Sequence, residues 1–198
     1  MIARKLTSAD IFRAAESLGL DFCMIKAVID VESAGSGFSP DGRVKILFEG
    51  HIFWRQLKSR GIDPSTLAEP DVLYPRWDRS KYRRGTGEWD RLESAMCIHP
   101  EAALCSASWG LFQIMGFNYV ACGFDSVQDF VAAQKENEAM QLESFCEFLR
   151  VHEYVPFLAA CDWAAFARHY NGPGYAANNY DAKLARGYGQ CRAAEGIA

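Results

Sequence analysis

The sequence lacks the features that would place a chain in a membrane. No apolar run approaches the roughly 20 residues that a spanning helix needs. The first ten residues, MIARKLTSAD, carry two cations but no apolar centre, so no secretory signal peptide is expected. We therefore expect synthesis in the cytoplasm, with another protein letting the chain out. The length of 198 residues predicts one domain, without a separate binding module.

The sequence also lacks an excess of positive charge and a metal-binding pattern. Its formal net charge is −4, so no basic field draws it to nucleic acid, and no nucleic-acid partner is expected. The four histidines are dispersed and no Cys-x-x-Cys pair exists, so we expect no metal and no cofactor. The seven cysteines are odd in number and widely spread, which predicts reduced, buried thiols rather than a disulfide framework.

What the sequence does contain is a succession of helical patterns. Apolar spacing and capping residues predict helices over 8–18, 21–33, 50–60, 88–104 with an interruption near Pro100, 126–152 with a break near Asn137, 153–160, 162–170 and 178–194. Residues 61–88 predict a long irregular excursion, and residues 106–123 predict a short helix or two between glycines. The segment VKILFE alternates apolar residues as a strand does. We predict a mostly α domain with a small β region near residues 40–50.

One charged residue interrupts an apolar helical face. Ile25, Val28 and Ile29 recur at helical spacing, and the next position on that face is Glu32. Burial and the negative end of the helix dipole both raise the pKa of such a carboxyl. A carboxyl kept protonated near neutral pH suits general acid catalysis on a glycosidic oxygen. From this stretch alone, an ionised side chain at a frayed helix end fits equally well.

A second carboxyl stands at the predicted strand-to-helix junction ILFEGHIFW. Here the helix N-terminus stabilises the ionised form of Glu49. Two carboxyls in opposed environments form the acid–base pairing of glycoside cleavage. Acidic residues are also common in first turns as simple dipole partners, and alone that role suits Glu49 better. His51 is close enough in sequence to orient Glu49 by a hydrogen bond, or to serve as a core or capping histidine.

Aromatic and amide side chains gather in two further stretches, SWGLFQIMG and RHYNGPGY. Trp109 and Phe112 offer flat apolar faces that suit a pyranose ring. Gln113, Tyr170 and Asn171 offer hydrogen bonds to hydroxyl and acetamido groups. A core helix with turn glycines is the alternative, and for Phe112 singly it is the better one.

Together these stretches resemble the lysozyme superfamily. Glu32-Ser33, then Gly110-Leu111-Phe112-Gln113-Ile114, then Tyr170-Asn171-Gly172 is the pattern of goose-type lysozymes and lytic transglycosylases. Closer still, FEGHIFW, SASWGLFQIMGFNY, AFARHYNGPGY and NNYDAKLARGY resemble the N-acetylmuramidase family of phage endolysins from Gram-negative hosts. The resemblance extends from about residue 10 to about residue 190.

The resemblance implies a lysozyme-like helical fold and cleavage between N-acetylmuramic acid and N-acetylglucosamine in peptidoglycan. It implies that Glu32 is the catalytic acid and that Glu49 is either a general base for water or a stabiliser of the transition state. Glycan strands are the expected partner of a monomeric enzyme, acting in the periplasm of the infected host for host-cell lysis. The candidate substrate-binding residues are Ser33, His51, Ser108, Trp109, Phe112, Gln113, Tyr170 and Asn171.

Three functions remain open from the sequence. A hydrolysing muramidase needs water and a second carboxylate, for which Asp41 competes with Glu49 unless its Asp-Gly-Arg segment is a simple turn. A lytic transglycosylase needs one carboxyl, because the 6-hydroxyl of the muramic acid attacks. A glycan-binding protein would gain nothing from a half-buried acid, so we place it last. The last helix carries cations, but packing on the core is favoured over membrane contact.

Overall fold

The structure is a computed structural model that describes residues 5–33, 35–83, 85–172, 176 and 178–196. The helices in these ranges are α1 (Ser8–Leu18), α2 (Phe22–Glu32), α3 (Gly50–Ser59), α4 (Gly87–Ile98), α5 (Pro100–Cys105), α6 (Val127–Glu136), α7 (Glu138–Val151), α8 (Val155–Ala159), α9 (Trp163–Asn171) and α10 (Tyr180–Ala194). The strands are β1 (Ile46–Phe48), β2 (Ala107–Trp109) and β3 (Ile114–Met115). The prediction of a mostly α domain with a small β region is confirmed. None of the described helices is long and apolar enough to cross a membrane.

Capping residues set the helix boundaries much as the sequence predicts. Thr7, one residue before the predicted cap, forms a capping box with Asp10 at the start of α1. Asp21 accepts the backbone N–H of Met24 and so begins α2. Asn137 has an extended backbone and caps α7, which confirms the predicted break in the long helical stretch. In its described residues, the irregular excursion contains short 3₁₀ turns at Pro64–Thr66 and Arg79–Lys81 before α4 begins at Gly87.

The prediction of a short helix or two in residues 106–123 is wrong for the first half of the segment, which is a β-hairpin, whereas the second half contains two short 3₁₀ helices, Gly116–Asn118 and Val120–Cys122. Strands β1, β2 and β3 form an antiparallel sheet in that order, with Ile46 opposite Trp109. All three residues of β2 are buried, so the segment lacks the alternation that identifies a strand. Gly110 turns the hairpin at a φ of 70°, and a Cβ there would lie 2.7 Å from the side chain of Gln141. Gln141 accepts the N–H of Leu111 at 2.8 Å, which ties the turn to α7.

Helix α2 lies in the core of the domain. Cys23, Ile25, Ala27 and Val28 are fully buried, and the helix packs against α1 on one side and α10 on another. An amphipathic helix normally leaves one face in water. The buried face of α2 runs as far as Ile29, and Glu32, one turn further along that face, is only partly buried.

The expectation that all cysteines are free thiols is wrong for one pair. Cys23 at the start of α2 and Cys191 near the end of α10 form a disulfide, with their Cα atoms 5.5 Å apart. Their sequence separation is 168 residues, so no local spacing reveals the bond. The other cysteines are free: Cys105, Cys122 and Cys146 are buried as predicted, whereas Cys97 and Cys161 are exposed.

Removing the disulfide should destabilise the fold by freeing α10 in the unfolded chain. We expect Cys191→Ser to lower Tm by about 5–15 °C, since a cross-link that closes a long loop contributes about 2–4 kcal/mol. Thermal unfolding followed by circular dichroism, with and without reductant, measures the effect. Cys161→Ser is the control, because this exposed thiol is unbonded and the variant should remain sensitive to reductant. Equal reductant sensitivity of Cys191→Ser and wild type would contradict the assignment.

Candidate active site

Glu32 ends α2 in a half-buried position. The residues before it on the same face, Val28 and Ile29, are buried, as the apolar pattern predicts. Asn171, the last residue of α9, donates a hydrogen bond from Nδ2 to Glu32 Oε1 at 3.0 Å. Burial raises the pKa of Glu32, while this hydrogen bond and the charge of Lys183 act in the opposite direction. The carboxyl is therefore a weaker acid than an exposed glutamate.

A second hydrogen bond connects α9 to the hairpin. The hydroxyl of Tyr170 donates to the backbone carbonyl of Phe112 at 3.1 Å. The ring of Tyr170 is stacked on Phe166 with centroids 5.6 Å apart, so its position is fixed by packing as well. Burial raises the pKa of Tyr170, which keeps the hydroxyl protonated and able to donate. Tyr170 thus holds the hairpin turn beside the helix that supplies Asn171.

Gln113 is the exposed polar residue of the hairpin turn. Its φ of 50° is unusual for a residue with a side chain, and such strain is often found at ligand sites. Its amide donates to the carbonyl of Gly110 at 2.8 Å and accepts from the hydroxyl of Ser108 at 2.9 Å. The structure therefore brings Ser108 and Gln113 together in the hairpin, and it places Ser33 as the C-cap of α2, directly after Glu32.

The prediction that Trp109 and Phe112 stack on a sugar does not fit their positions. Trp109 is fully buried, and its indole N–H donates to the carbonyl of Leu104 at 3.1 Å. Phe112 is 5% exposed and stacks on Phe145 with centroids 4.1 Å apart. Neither ring presents a free face to solvent, so both serve the core. Sequence cannot distinguish the two roles, because core and sugar-binding aromatics share the same residue types.

Glu49 lies in a second cluster, at the start of α3. Its side chain makes no capping hydrogen bond to the helix and instead accepts a short hydrogen bond from the hydroxyl of Tyr82. Its backbone N–H donates to Ser106 at 2.9 Å, which anchors the junction to the segment before β2. The neighbouring Gly50 is required here, since a Cβ would lie 2.4 Å from the ring of Tyr74.

His51 touches Glu49 without a hydrogen bond. Its Nδ1 atom lies 3.2 Å from Glu49 Oε2, but Nδ1 is buried and has no hydrogen-bond partner among the described residues. Burial lowers the pKa of His51, which favours the neutral ring. The proposed orienting hydrogen bond from His51 is therefore not present. Tyr82 takes that role.

Tyr82 and Trp77 are the residues that sequence reasoning missed. Both belong to the irregular excursion, and their rings lie 6.4 Å apart. Trp77 is 60% exposed, so it offers the free aromatic face that Trp109 lacks. The contact with Glu49, 33 positions earlier in the chain than Tyr82, could not be read from spacing. The only available signal was two aromatic rings within an otherwise charged loop.

Asp41 takes the simple-turn role that the sequence left open. It is exposed, and its carboxylate pairs with the guanidinium of Arg43 at 2.8 Å. The hydrogen bonds from Arg43 lower the pKa of Asp41. An exposed carboxylate already paired with an arginine is a poor candidate for a second catalytic group.

The small sheet connects the Glu32 and Glu49 clusters. Strand β1 leads directly into Glu49 and pairs with β2, whose hairpin carries Gln113. Among the residues that the structure describes, no hydrogen bond joins the two carboxyls. Within the same residues, no group of three or more acidic, histidine or cysteine side chains is placed to hold a metal ion. Residues 173–175 of the RHYNGPGY stretch lie outside the described residues.

A mostly helical domain with a small three-stranded antiparallel sheet, and a half-buried glutamate at the end of a core helix, has the features of a lysozyme-like protein. The sequence model of the N-acetylmuramidase family matches residues 21–192. The endolysin of Enterobacteria phage PRD1 is 32% identical over 130 residues, covering 59% of this chain and 81% of that protein. The crystal structure of the Burkholderia AP3 phage endolysin superposes with a TM-score of 0.89 at 43% identity, covering 94% of this chain and 71% of that one. The chain belongs to the N-acetylmuramidase family, and its fold is lysozyme-like.

The hydrogen bond from Asn171 should tune the acidity of Glu32. An amide N–H that donates to a carboxylate favours the charged form, so Asn171→Ala should raise the pKa of Glu32 further. A general acid must be protonated, so the alkaline limb of the pH–rate profile should move to higher pH. Turnover of peptidoglycan as a function of pH measures the shift. Asn178→Ala, on an exposed residue, is the matched control. An unchanged or lower alkaline limb would contradict this role.

Proposed function

We propose that this protein is a phage endolysin that hydrolyses the β-1,4 bond between N-acetylmuramic acid and N-acetylglucosamine, with Glu32 as general acid. Family membership supports a muramidase-type glycosidase that degrades peptidoglycan. The observation that carries the catalytic assignment is the environment of Glu32: half-buried, with a raised pKa and one carboxyl oxygen held by Asn171. These are the properties of a carboxyl that holds a proton until a leaving group takes it.

In the first step, Glu32 donates its proton to the glycosidic oxygen. Asn171 occupies Oε1, which leaves Oε2 as the oxygen that carries the proton. As the bond breaks, Glu32 becomes a carboxylate, and the Asn171 amide and the Lys183 charge both stabilise that form. The same two groups therefore favour the product side of the proton transfer, whereas burial favours the reactant side.

Glu49 supplies the second carboxylate. The hydroxyl of Tyr82 binds Oε2, the oxygen that also faces His51. The remaining oxygen is available to activate water or to stabilise an oxocarbenium-like transition state. Either role supports hydrolysis, because attack by the sugar's own 6-hydroxyl requires only one carboxyl.

The polar residues near Glu32 supply the glycan contacts. We assign the exposed amide of Gln113 to hydrogen bonds with sugar hydroxyl or acetamido groups; Ser108 is buried and contributes by holding that amide in place. Tyr170 holds the hairpin turn that carries Gln113, and Ser33 follows Glu32 at the end of α2. The exposed ring of Trp77 takes over the stacking role that the sequence gave to Trp109.

We further propose that the enzyme is made in the host cytoplasm, acts as a monomer and reaches peptidoglycan in the periplasm after another protein releases it. The disulfide between Cys23 and Cys191 supports this route. Such bonds persist in oxidising compartments, including the bacterial periplasm, and are rare in the cytosol.

Glu32→Gln should lower muramidase activity by at least about a hundredfold, because the variant cannot donate the proton. Its Tm at pH 7 should be unchanged or slightly higher, since burial penalises the charged form of Glu32. Mass spectrometry of fragments released from permeabilised Gram-negative sacculi measures both rate and product. The wild-type enzyme is expected to release fragments that end in reducing muramic acid, whereas anhydro-muramic acid would indicate a transglycosylase. Glu93→Gln, on the exposed face of α4, is the control.

Glu49→Gln should lower the same activity by about a hundredfold if the carboxylate acts as base or charge stabiliser. Tyr82→Phe leaves the Glu49 carboxylate in place and removes the hydrogen bonds of the Tyr82 hydroxyl, to Glu49 and with Trp77, so a smaller loss of about tenfold is expected. Initial rates on sacculi measure both. The double variant should be no worse than Glu49→Gln alone, because Tyr82 acts through Glu49. Full activity of Glu49→Gln would reduce Glu49 to a structural residue.

A further inference from the structure

Helices α2 and α10 lie side by side and antiparallel, with a regular register. The disulfide joins Cys23 to Cys191 at one end. One turn further along, a Cβ on Gly187 would lie 3.5 Å from the Cβ of Ala27. Another turn along, Lys183 comes close enough to Glu32 for its charge to act on that carboxyl. The register therefore places Lys183 beside the last turn of α2, next to the catalytic acid.

A groove of 530 Å³ follows the seam between these two helices. Its charged lining residues are Lys26 and Asp30 from α2, Lys183 and Arg186 from α10, and Glu195 just after α10. Glu32 does not line the groove, but Val31 and Lys183 do, so one end of the groove lies near Glu32 and the other lies near the disulfide. Its position suits a group that hangs from the sugar whose bond is being cut.

The groove has two cations to offer a ligand. Lys26 pairs with Asp30 within α2. Lys183 and Arg186 are exposed, and within the described part of the chain neither makes an ion pair. Lys183 is oriented over the ring of Tyr180, with Nζ 5.4 Å from the ring centroid. The end of the groove nearest Glu32 is therefore positive, whereas the carboxylate of Glu195 lies toward the other end.

We propose that this groove binds the short peptide stem of the muramic acid, with Lys183 and Arg186 receiving its carboxylates. This inference rests on the proposed function, since the stem is attached to the sugar that Glu32 releases. The two cations are separated by about 4.5 Å along the helix axis. Residues three positions apart lie on the same face of a helix, so both long cationic side chains can reach carboxylates of one extended stem. Arg186 also provides the planar fork that suits a carboxylate.

An anionic lipid surface is the other ligand that two exposed cations attract. Insertion of a surface helix also needs an apolar face turned toward the lipid. The buried residue of α10 is Leu184, which packs on the domain. The large exposed apolar side chains of the described residues, such as Phe12 and Val120, lie on other elements. The peptide stem is therefore favoured.

Two substrates separate stem binding from catalysis. One is soluble glycan strands that carry their stems, and the other is the same strands stripped of stems by an amidase. For Arg186→Gln, the ratio of kcat/KM on stem-bearing to stripped strands should fall by about threefold to fivefold, the effect of one exposed charge pair. Lys58→Gln, an exposed cation on α3, should leave the ratio unchanged. An unchanged ratio for Arg186→Gln would overturn the proposal.

Lys183→Gln gives an independent readout. The same fall in the ratio is expected, together with a shift of the alkaline pH limb to higher pH on both substrates, because Lys183 lowers the pKa of Glu32.

Wild-type inactivity on both substrates would reject the proposed function itself. Vesicles containing anionic lipid test the alternative: binding that Arg186→Gln abolishes, with no change in the substrate ratio, would assign the groove to a membrane surface. A preserved Tm for each variant excludes misfolding as the cause.

Discussion

The half-burial of one carboxyl at the end of a core helix is the constraint on which the site depends. Glu32 is the point where α2 emerges from the core, and a carboxyl there resists ionisation because the surroundings solvate its charge poorly. Its acidity depends on where the helix ends and on how firmly that end is held. Asn171 holds it from α9, and α10 packs along its length. The chemistry of one side chain is thus set by contacts between three helices.

The small sheet fixes the position of Glu49. Glu49 follows β1 directly, and its backbone is fixed to Ser106 just before β2. Below it, the buried ion pair of Arg91 and Glu88 is satisfied by further hydrogen bonds, including one from Arg91 to the carbonyl of Phe48. A buried ion pair contributes little net stability, but breaking it is strongly destabilising. The pair therefore favours the one local geometry in which both charges are satisfied. That geometry fixes the junction from which Glu49 projects.

Local signals predicted the fold well, and long-range contacts escaped them. The caps at Asp21 and Asn137 and the apolar face leading to Glu32 follow from residues within one or two helical turns. The buried hairpin gave no alternation, and Trp109 looks the same in sequence whether it binds sugar or fills the core. The disulfide joins residues 168 positions apart, and Tyr82 reaches Glu49 from an irregular loop. In each missed case the deciding partner is distant in sequence, so no pattern of spacing can contain it.

Keeping Glu32 in its environment has a pH-dependent cost to stability. A carboxyl whose pKa is raised on folding stabilises the native state only while it is protonated. That contribution is lost as the pH rises from the unfolded pKa through the folded one. At high pH, where Glu32 tends to ionise, its charge favours exposure to water, so contacts with neighbouring helices must keep the end of α2 in place.

The disulfide restrains the opposite end of the pair formed by α2 and α10, remote from the substrate. It adds stability without placing any group in the chemistry. The disulfide that stabilises the fold and the carboxyl of Glu32 thus lie at opposite ends of one pair of helices. The fold can be stabilised there without changing the surroundings that set the acidity of Glu32.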